Sequence, residues 1–317
     1  MNYLGLDTSA YTTSLAIVNE DRELIWESRN ILKVAVGETG LAQSTAFFQH
    51  VHNLTNEIPA IPGSLWKTLA GIGVSCSPRP VAGSYMPVFT AGISLATALA
   101  AARQIPLFRT SHQEGHVAAG CVSAQGPAAD KFLAVHLSGG TTELLLVKHT
   151  APGHLSLELL GGTSDLHAGQ FVDRVGVRLG LQFPAGRALE ELAREAEPGA
   201  ASLLPSAVKG FEVSFSGVES AAQRLIDQGI PRSNVALAVE GCLVRTLVKL
   251  IARGMESTGL QEVLMVGGVA ANQYLRSELN RRLHKQGQLY WAEPDWCRDN
   301  AIGVALLTRE GCQARGS

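Results

Sequence analysis

The run His112-Gln113-Glu114-Gly115-His116 sets two imidazoles four residues apart. On a helix, positions i and i+4 share one face, so both rings can reach one metal ion. Further along comes Ser138-Gly139-Gly140-Thr141-Thr142, a turn able to cradle phosphate. A metal site beside a phosphate site points to an enzyme acting on a nucleotide or acyl-nucleotide. The same histidine spacing also arises by chance in helices that bind nothing, so the pair needs support from other blocks.

That support is a set of Gly-rich or polar turns, each following a strand-like run. Asp7-Thr8-Ser9 follows the first strand, Ser138-Gly139-Gly140 follows a later one, and Gly267-Gly268-Val269-Ala270-Ala271-Asn272 ends a strand and opens a helix. Glycines let backbone N–H groups approach phosphate oxygens, and a helix N-terminus adds a favourable dipole. Any one turn is explained by chain reversal alone; three after three strands are not. The G-x-G-x-x-G dinucleotide fingerprint is missing after the first strand, and so is a Walker A loop.

The elements that must position these residues fall into two similar series. Met1 to Leu6, Thr12 to Asn19 and Glu23 to Leu32 have strand patterns, with a polar turn at 19–22. Gln43 to Ile58 has helical spacing, Leu69 to Val74 is a β-branched run, Phe89 to Arg103 is a small-residue helix, and 106–108 leads a brief strand. The series then restarts. Phe132 to Leu137, Glu143 to Lys148 and Leu155 to Leu160 are strands, and Gly169 to Leu179 and Ala188 to Glu195 are helices. Val235 to Ser257 is a long helix, followed by strand Glu262 to Val266 and helix Gln273 to His284. Gly199 to Gly210 is the expected irregular insert. A repeated β-β-β-α-β-α series predicts a duplicated α/β fold with a ligand crevice between its halves.

With 317 residues, 46% hydrophobic and 17% charged, the chain is long enough for two domains. The expected division is 1–108 plus 298–317 against 109–297. A net charge of −2 gives no global signal for nucleic acid, so RNA binding needs a local basic surface or a partner subunit. The local candidates are Arg281-Arg282 with Lys285, and Lys249 with Arg245 and Arg253. Cys76, Cys121, Cys242, Cys297 and Cys312 show no CxxC spacing, which fits buried thiols in a reducing compartment. No signal peptide or membrane-length apolar run is present, so the expected location is cytoplasmic, with no membrane partner.

Together these blocks resemble the tRNA threonylcarbamoyltransferase family, a glycoprotease-like branch of the actin/sugar-kinase/Hsp70 ATPase superfamily. The resemblance is carried by His112 to His116, Ser138-Gly139-Gly140, Ala168-Gly169-Gln170-Phe171-Val172-Asp173, Pro184-Ala185-Gly186 with Glu190, Ser214-Phe215-Ser216-Gly217, Gly267 to Asn272, and Asp299-Asn300. It implies two RNase H-like (actin-like ATPase) domains with a ligand cleft between them. It implies that His112, His116 and Asp299 bind one transition metal ion, iron or zinc. The archaeal branch has a metal-binding Tyr where this chain has His136, and His is also an ordinary ligand. Ser138, Gly139 and Gly140 match the turn that contacts nucleotide phosphates. Asp173, Gly186, Glu190, Gly267, Gly268 and Asn272 match the nucleoside and turn contacts to an adenine nucleotide or acyl-adenylate. Asp7, at the mouth of the first strand, is the candidate proton-handling carboxylate. Glu114 is read as solvating its helix, and His50 as an ordinary polar residue.

The family reaction transfers a threonylcarbamoyl group from its adenylate to an adenosine beside the tRNA anticodon. Its members work with partner subunits, including an inactive paralogue and an ATPase subunit. Departures from the family pattern mark this chain as a divergent paralogue. Tyr11 and Thr12 stand where many bacterial members have acidic residues, Thr141-Thr142-Glu143 replaces H-T-Q or N-T-Q, and Glu219 replaces a lysine. Two other readings stay open: a carbamoyltransferase for another acceptor, and a non-catalytic nucleotide-binding paralogue that assembles with the tRNA-modifying enzyme.

Overall fold

The computed structural model describes residues 1–9, 11–34, 41–296 and 301–316. The chain divides into two compact units. The first comprises Met1–Ser123, Lys148–Leu157 and Asp295–Ser317, and the second Ala124–Val147 and Glu158–Pro294. Among the described residues no helix is long and apolar enough to cross a membrane.

The first unit starts with β1 (Asn2–Asp7), β2 (Thr12–Asn19), β3 (Leu24–Ile31), α1 (Gln43–Ala60) and α2 (Gly63–Lys67). There follow β4 (Leu69–Ser75), α3 (Phe89–Arg103), β5 (Leu107–Thr110) and α4 (His112–Ser123). Its sheet runs β3-β2-β1-β4-β5. β1 pairs antiparallel with β2, Leu4 opposite Ile17, and parallel with β4, Leu4 opposite Ile72. Side chains alternate across the pleat. Leu4, Leu6, Leu15 and Ile17 therefore share one face, where Ala91, Ala96 and Ala100 of α3 and Leu54 of α1 cover them.

The second unit contains β6 (Lys131–Leu137), β7 (Thr142–Ala151), β8 (His154–Thr163), α5 (Ala168–Arg178), α6 (Gly186–Ala193), β9 (Val208–Lys209) and β10 (Glu212–Val213). It continues through α7 (Ser216–Asp227), α8 (Arg232–Thr258), β11 (Glu262–Val266), α9 (Gln273–Leu283) and β12 (Gln288–Trp291), with the outer ends of β7 and β8 grouped in the first unit. Its sheet runs β12-β11-β6-β7-β8-β10-β9. Without the short β9–β10 pair, that is the order of the first sheet: third, second, first, fourth and fifth strands side by side. The expected insert at 199–210 is a 3-10 turn (Pro198–Ser202), an irregular stretch and β9. Under the sheet, Leu133, Val135 and Leu137 pack with Phe171 and Val175 of α5 and with Val239, Leu243 and Leu247 of α8.

The last helix, α10 (Ile302–Gly316), returns to the first unit. Ala301, Ile302, Ala305 and Leu306 pack on Tyr3, Ala16 and Val18, the face of the sheet opposite α3. The approach is close: a Cβ at Gly5 would lie 2.6 Å from the Ala305 nitrogen, and one at Gly303 would overlap the Gly115 carbonyl. This backbone-to-backbone crossing ties α4 to α10. The sequence reading set residues 109–123 with the second half; they pack in the first, where the backbones of Gly115 and Gly303 approach too closely for a Cβ at Gly303.

Candidate metal and nucleotide sites

α4 begins with a reciprocal cap. Ser111 N and Oγ donate to Glu114 Oε2 at 2.7 and 2.8 Å, and Glu114 N donates back to Ser111 Oγ at 3.2 Å. This is the S-x-x-E capping box. Glu114 also accepts from Leu155 N at 3.3 Å and is buried. It is an architectural residue, and the expectation that it merely solvates its helix is corrected by that burial. The spacing Ser111…Glu114 was the available signal.

The cap aims two rings. His112 and His116 meet edge to face, with centroids 4.4 Å apart and planes at 84°, and their Nε2 atoms are 3.0 Å apart. His112 Nδ1 lies 2.8 Å from Asp7 Oδ2. Asp7 is 2% exposed; Ser75 Oγ donates to its Oδ2 at 2.5 Å and Ser9 N to its Oδ1 at 2.8 Å. Burial pushes its carboxyl up, but His112 and the donors from Ser75 and Ser9 outweigh burial and hold it below its usual value. An ionised Asp7 takes the His112 Nδ1 proton as a hydrogen bond, which leaves the Nε2 lone pair pointing at His116.

The residues fit a metal. Two ligands each about 2.1 Å from one ion, at angles from square to tetrahedral, sit about 3.0–3.4 Å apart. The facing Nε2 atoms meet that spacing, and the carboxylate behind His112 is the usual outer partner of a ligating imidazole. Among the described residues no group of three or more His, Cys, Asp or Glu gathers at metal-holding distance. Asp299 lies outside the described residues. His136 is buried on β6, in register with Val266 of β11.

In the second unit the turns collect at the ends of neighbouring strands. Ser138-Gly139-Gly140 closes β6, held by Ser138 N donating to Thr141 O at 2.8 Å and Gly140 N to Ser138 Oγ at 3.2 Å. Added Cβ atoms at Gly139 and Gly140 would meet nothing within 4 Å, so this backbone is open to a ligand. The first turn of α5 rests against it: Gly169 N donates to Ser138 O at 3.1 Å, and a Cβ at Gly169 would lie 2.8 Å from Gly139 Cα. A helix N-terminus thus meets a bare glycine turn, which favours an anion. Beside it, Gly267 ends β11 at φ 98°, and a Cβ there would overlap the Leu137 carbonyl, so only glycine fits. Gly268 is open.

Four further candidates form a linked series. Asp173 Oδ1 accepts from Ala185 N at 2.7 Å, just before Gly186 opens α6; burial holds this carboxyl above its usual value. One turn along α6, Glu190 Oε1 accepts from Gln273 N at 2.9 Å. Asn272 caps α9 by accepting from Leu275 N at 2.8 Å, and its Nδ2 donates to Glu240 Oε1 at 2.6 Å. Glu240 was missed. It is 2% exposed on α8, and burial pushes its carboxyl up to about 7, opposed by the Asn272 amide and aided by Glu190. Its place on the apolar stripe Ala236, Glu240, Leu243, Leu247 was the signal. Asp165, also missed, accepts from Thr163 and Ser214 hydroxyls at 2.7 and 2.6 Å and from Phe215 N at 3.2 Å. It pins the Ser214-Phe215-Ser216-Gly217 block.

The basic candidates separate by partner. Arg245 donates to the carbonyls of Ala201 and Leu204, and Arg281 and Arg282 both pair with Glu278. Lys249, whose Nζ donates to Ser206 Oγ at 2.7 Å, and Arg253, stacked 5.5 Å from the Phe211 centroid, line one groove of the second unit.

Two sheets of one strand order, with bare glycine turns at strand ends, define the actin-like ATPase fold. Solved structures agree. Full-length HypF in its phosphate- and nucleotide-bound form matches with a TM-score of 0.62 at 12% identity, over 99% of this chain and 47% of that one. Component A of (R)-2-hydroxyglutaryl-CoA dehydratase from Acidaminococcus fermentans matches with 0.58 at 14%, over 99% of both chains. A ROK family glucokinase from Streptomyces griseus matches with 0.52 at 13%, over 98% of this chain and 100% of that one. Within that fold the sequence is more specific. The family model for tRNA N6-adenosine threonylcarbamoyltransferase matches residues 44–306. The protein of that name from Nitrosomonas eutropha is 31% identical over 318 residues, covering 96% of this chain and 91% of its own. The chain belongs to this family of tRNA-modifying acyltransferases.

Proposed function

We propose that this chain transfers a threonylcarbamoyl group from threonylcarbamoyl-AMP to the adenosine next to the tRNA anticodon, with one transition metal ion, iron or zinc. The observation that carries the reading is the second unit's arrangement: an open Ser138-Gly139-Gly140 turn against the start of α5, continued by the linked Asp173, Gly186, Glu190 and Asn272. In this reading the turn and α5 hold the AMP phosphate, and the linked residues with Gly267 and Gly268 hold the nucleoside. The adenosine N6 attacks the carbamoyl carbon, a C–N bond forms, the C–O bond to AMP breaks, and the N6 proton leaves. AMP departs easily from a mixed anhydride, so orientation of a weak amine is the main requirement.

His112 and His116 are the first two metal ligands in this proposal, with His136 and Asp299 the others that the family resemblance implies. If bound by these residues, the metal would supply Lewis-acid polarisation of the donor oxygen. Asp7 acts through His112, since its oxygens are engaged by Ser75, Ser9 and His112. tRNA is taken through a complex with an inactive paralogue and an ATPase subunit, because phosphate contacts supply most RNA affinity and this chain has a net charge of −2. Lys249 and Arg253 are its proposed phosphate contacts.

The test is mass spectrometry of tRNA nucleosides from a strain lacking this gene and its relatives, complemented with wild type or His112→Ala. Return of the threonylcarbamoyl nucleoside with wild type only is expected. Carbamoylation of a small molecule, with tRNA untouched, selects the alternative acceptor; no return with intact partners refutes the tRNA reading.

A further inference from the structure

Glu240 holds Asn272, the residue that opens α9 after the Gly267-Gly268 turn. It projects from α8 and is 2% exposed, among otherwise apolar neighbours Ala236, Val239, Leu243 and Val244. Its Oε1 takes one N–H of the Asn272 amide at 2.6 Å. The same amide's oxygen takes Leu275 N at 2.8 Å. Asn272 is thus gripped on both sides: the helix fixes its oxygen, and Glu240 fixes its nitrogen. An Asn cap needs only the first contact. The second one settles which way the amide faces, and it leaves one N–H of Nδ2 for a ligand.

We propose that Glu240 is a positioning residue of the nucleotide site, holding the Asn272 amide in the single orientation that offers its remaining N–H to the nucleoside. This rests on the nucleotide reading above. A buried carboxylate serves here better than an amide or hydroxyl. Ionised, it only accepts, so it cannot pair with the wrong end of Asn272, and a charge-assisted bond is about twice as strong as a neutral one. The groups facing it are Glu190 and Arg194 of α6 and the Tyr274 hydroxyl of α9. Glu190 in turn takes Gln273 N at 2.9 Å. Two carboxylates from two helices therefore clamp consecutive residues at the start of α9. Burial and Glu190 raise the Glu240 carboxyl to about 7, so the grip weakens when the solution falls below neutrality.

The experiment measures adenosine and AMP binding by calorimetry on the full chain, wild type against Glu240→Ala and Glu240→Gln, at pH 6 and pH 8. Adenosine carries no group that titrates in that range. Wild type binding neither ligand refutes the nucleotide reading itself. If wild type binds, Glu240→Ala is expected to lose about tenfold in adenosine affinity, the loss of one hydrogen bond to a charged group. Glu240→Gln keeps an acceptor for Asn272 and is expected to stay near the wild-type affinity at pH 6. It should lack the tighter binding that wild type shows at pH 8. Should Glu240→Ala fail to fold, the Gln variant decides alone. Adenosine binding by Glu240→Ala equal to wild type, or identical pH profiles for wild type and Glu240→Gln, overturns the inference.

Discussion

Asp7 determines which nitrogen His112 presents. With Oδ2 accepting from Nδ1 at 2.8 Å, Nε2 is the ring nitrogen turned toward His116. Replacing the carboxylate by an amide keeps the shape but removes the charge that raises imidazole basicity. Asp7→Asn is expected to lower metal affinity about 10- to 100-fold. Competition with a chelator, followed by metal analysis of folded protein, checks this; retention equal to wild type removes Asp7 from the site. At this scale the sequence spoke unevenly. His112 and His116 announced themselves by spacing, whereas Glu240 hid because charge on a long apolar helix is usually solvent-facing, and only its position on the buried stripe says otherwise. His50 is a similar case: it is fully buried, with Nδ1 2.9 Å from Thr13 Oγ1, and only its place between Ala46 and Leu54 on the buried stripe of α1 marks it as internal.

At the level of elements, the longer strands of both halves and the helices at 43–58 and 235–257 were legible from their apolar spacing, and the helix at 89–103 from its run of small helix-forming residues. α10 was not. Its first two turns are buried on every side, so no polar face punctuates the pattern, and periodicity carries no signal there. α7 opens with a motif block that draws attention to chemistry instead of helix spacing, and β12 has only four residues. The α4–α10 crossing gives the sharpest mutational contrast. Gly303→Ala drives a methyl into the Gly115 carbonyl, and overpacking of this kind costs about 1–3 kcal/mol or more. Gly115→Ala meets Val304, its Cγ2 at 3.3 Å and its nitrogen at 3.7 Å, and is expected to cost clearly less. Calorimetric melting of both variants checks the order; equal melting temperatures would place the contact elsewhere.

Across the whole molecule, stability should respond to pH from both sides. Burial lowers the His50 imidazole from 6.5 to about 4, with Asp7 partly opposing. A depressed pKa gives stability that is present above 6.5 and lost as pH falls through about 4. The Glu240 carboxyl is raised from 4.5 to about 7, so its contribution is full below 4.5 and lost as pH rises through about 7. Melting temperatures across this range should flatten on the acid side in His50→Gln and on the neutral-to-alkaline side in Glu240→Gln, by a few degrees each. Unchanged profiles would assign the pH response to other groups. The placing of α10 has a further consequence, in time. A ribosome completes the entire second unit before it makes the helix that covers the face of the first sheet holding Tyr3 and Gly5. The usual order, in which the leading domain of a nascent chain folds first, meets a constraint here: the Tyr3, Ala16 and Val18 face of the first sheet has no cover until the last residues are made.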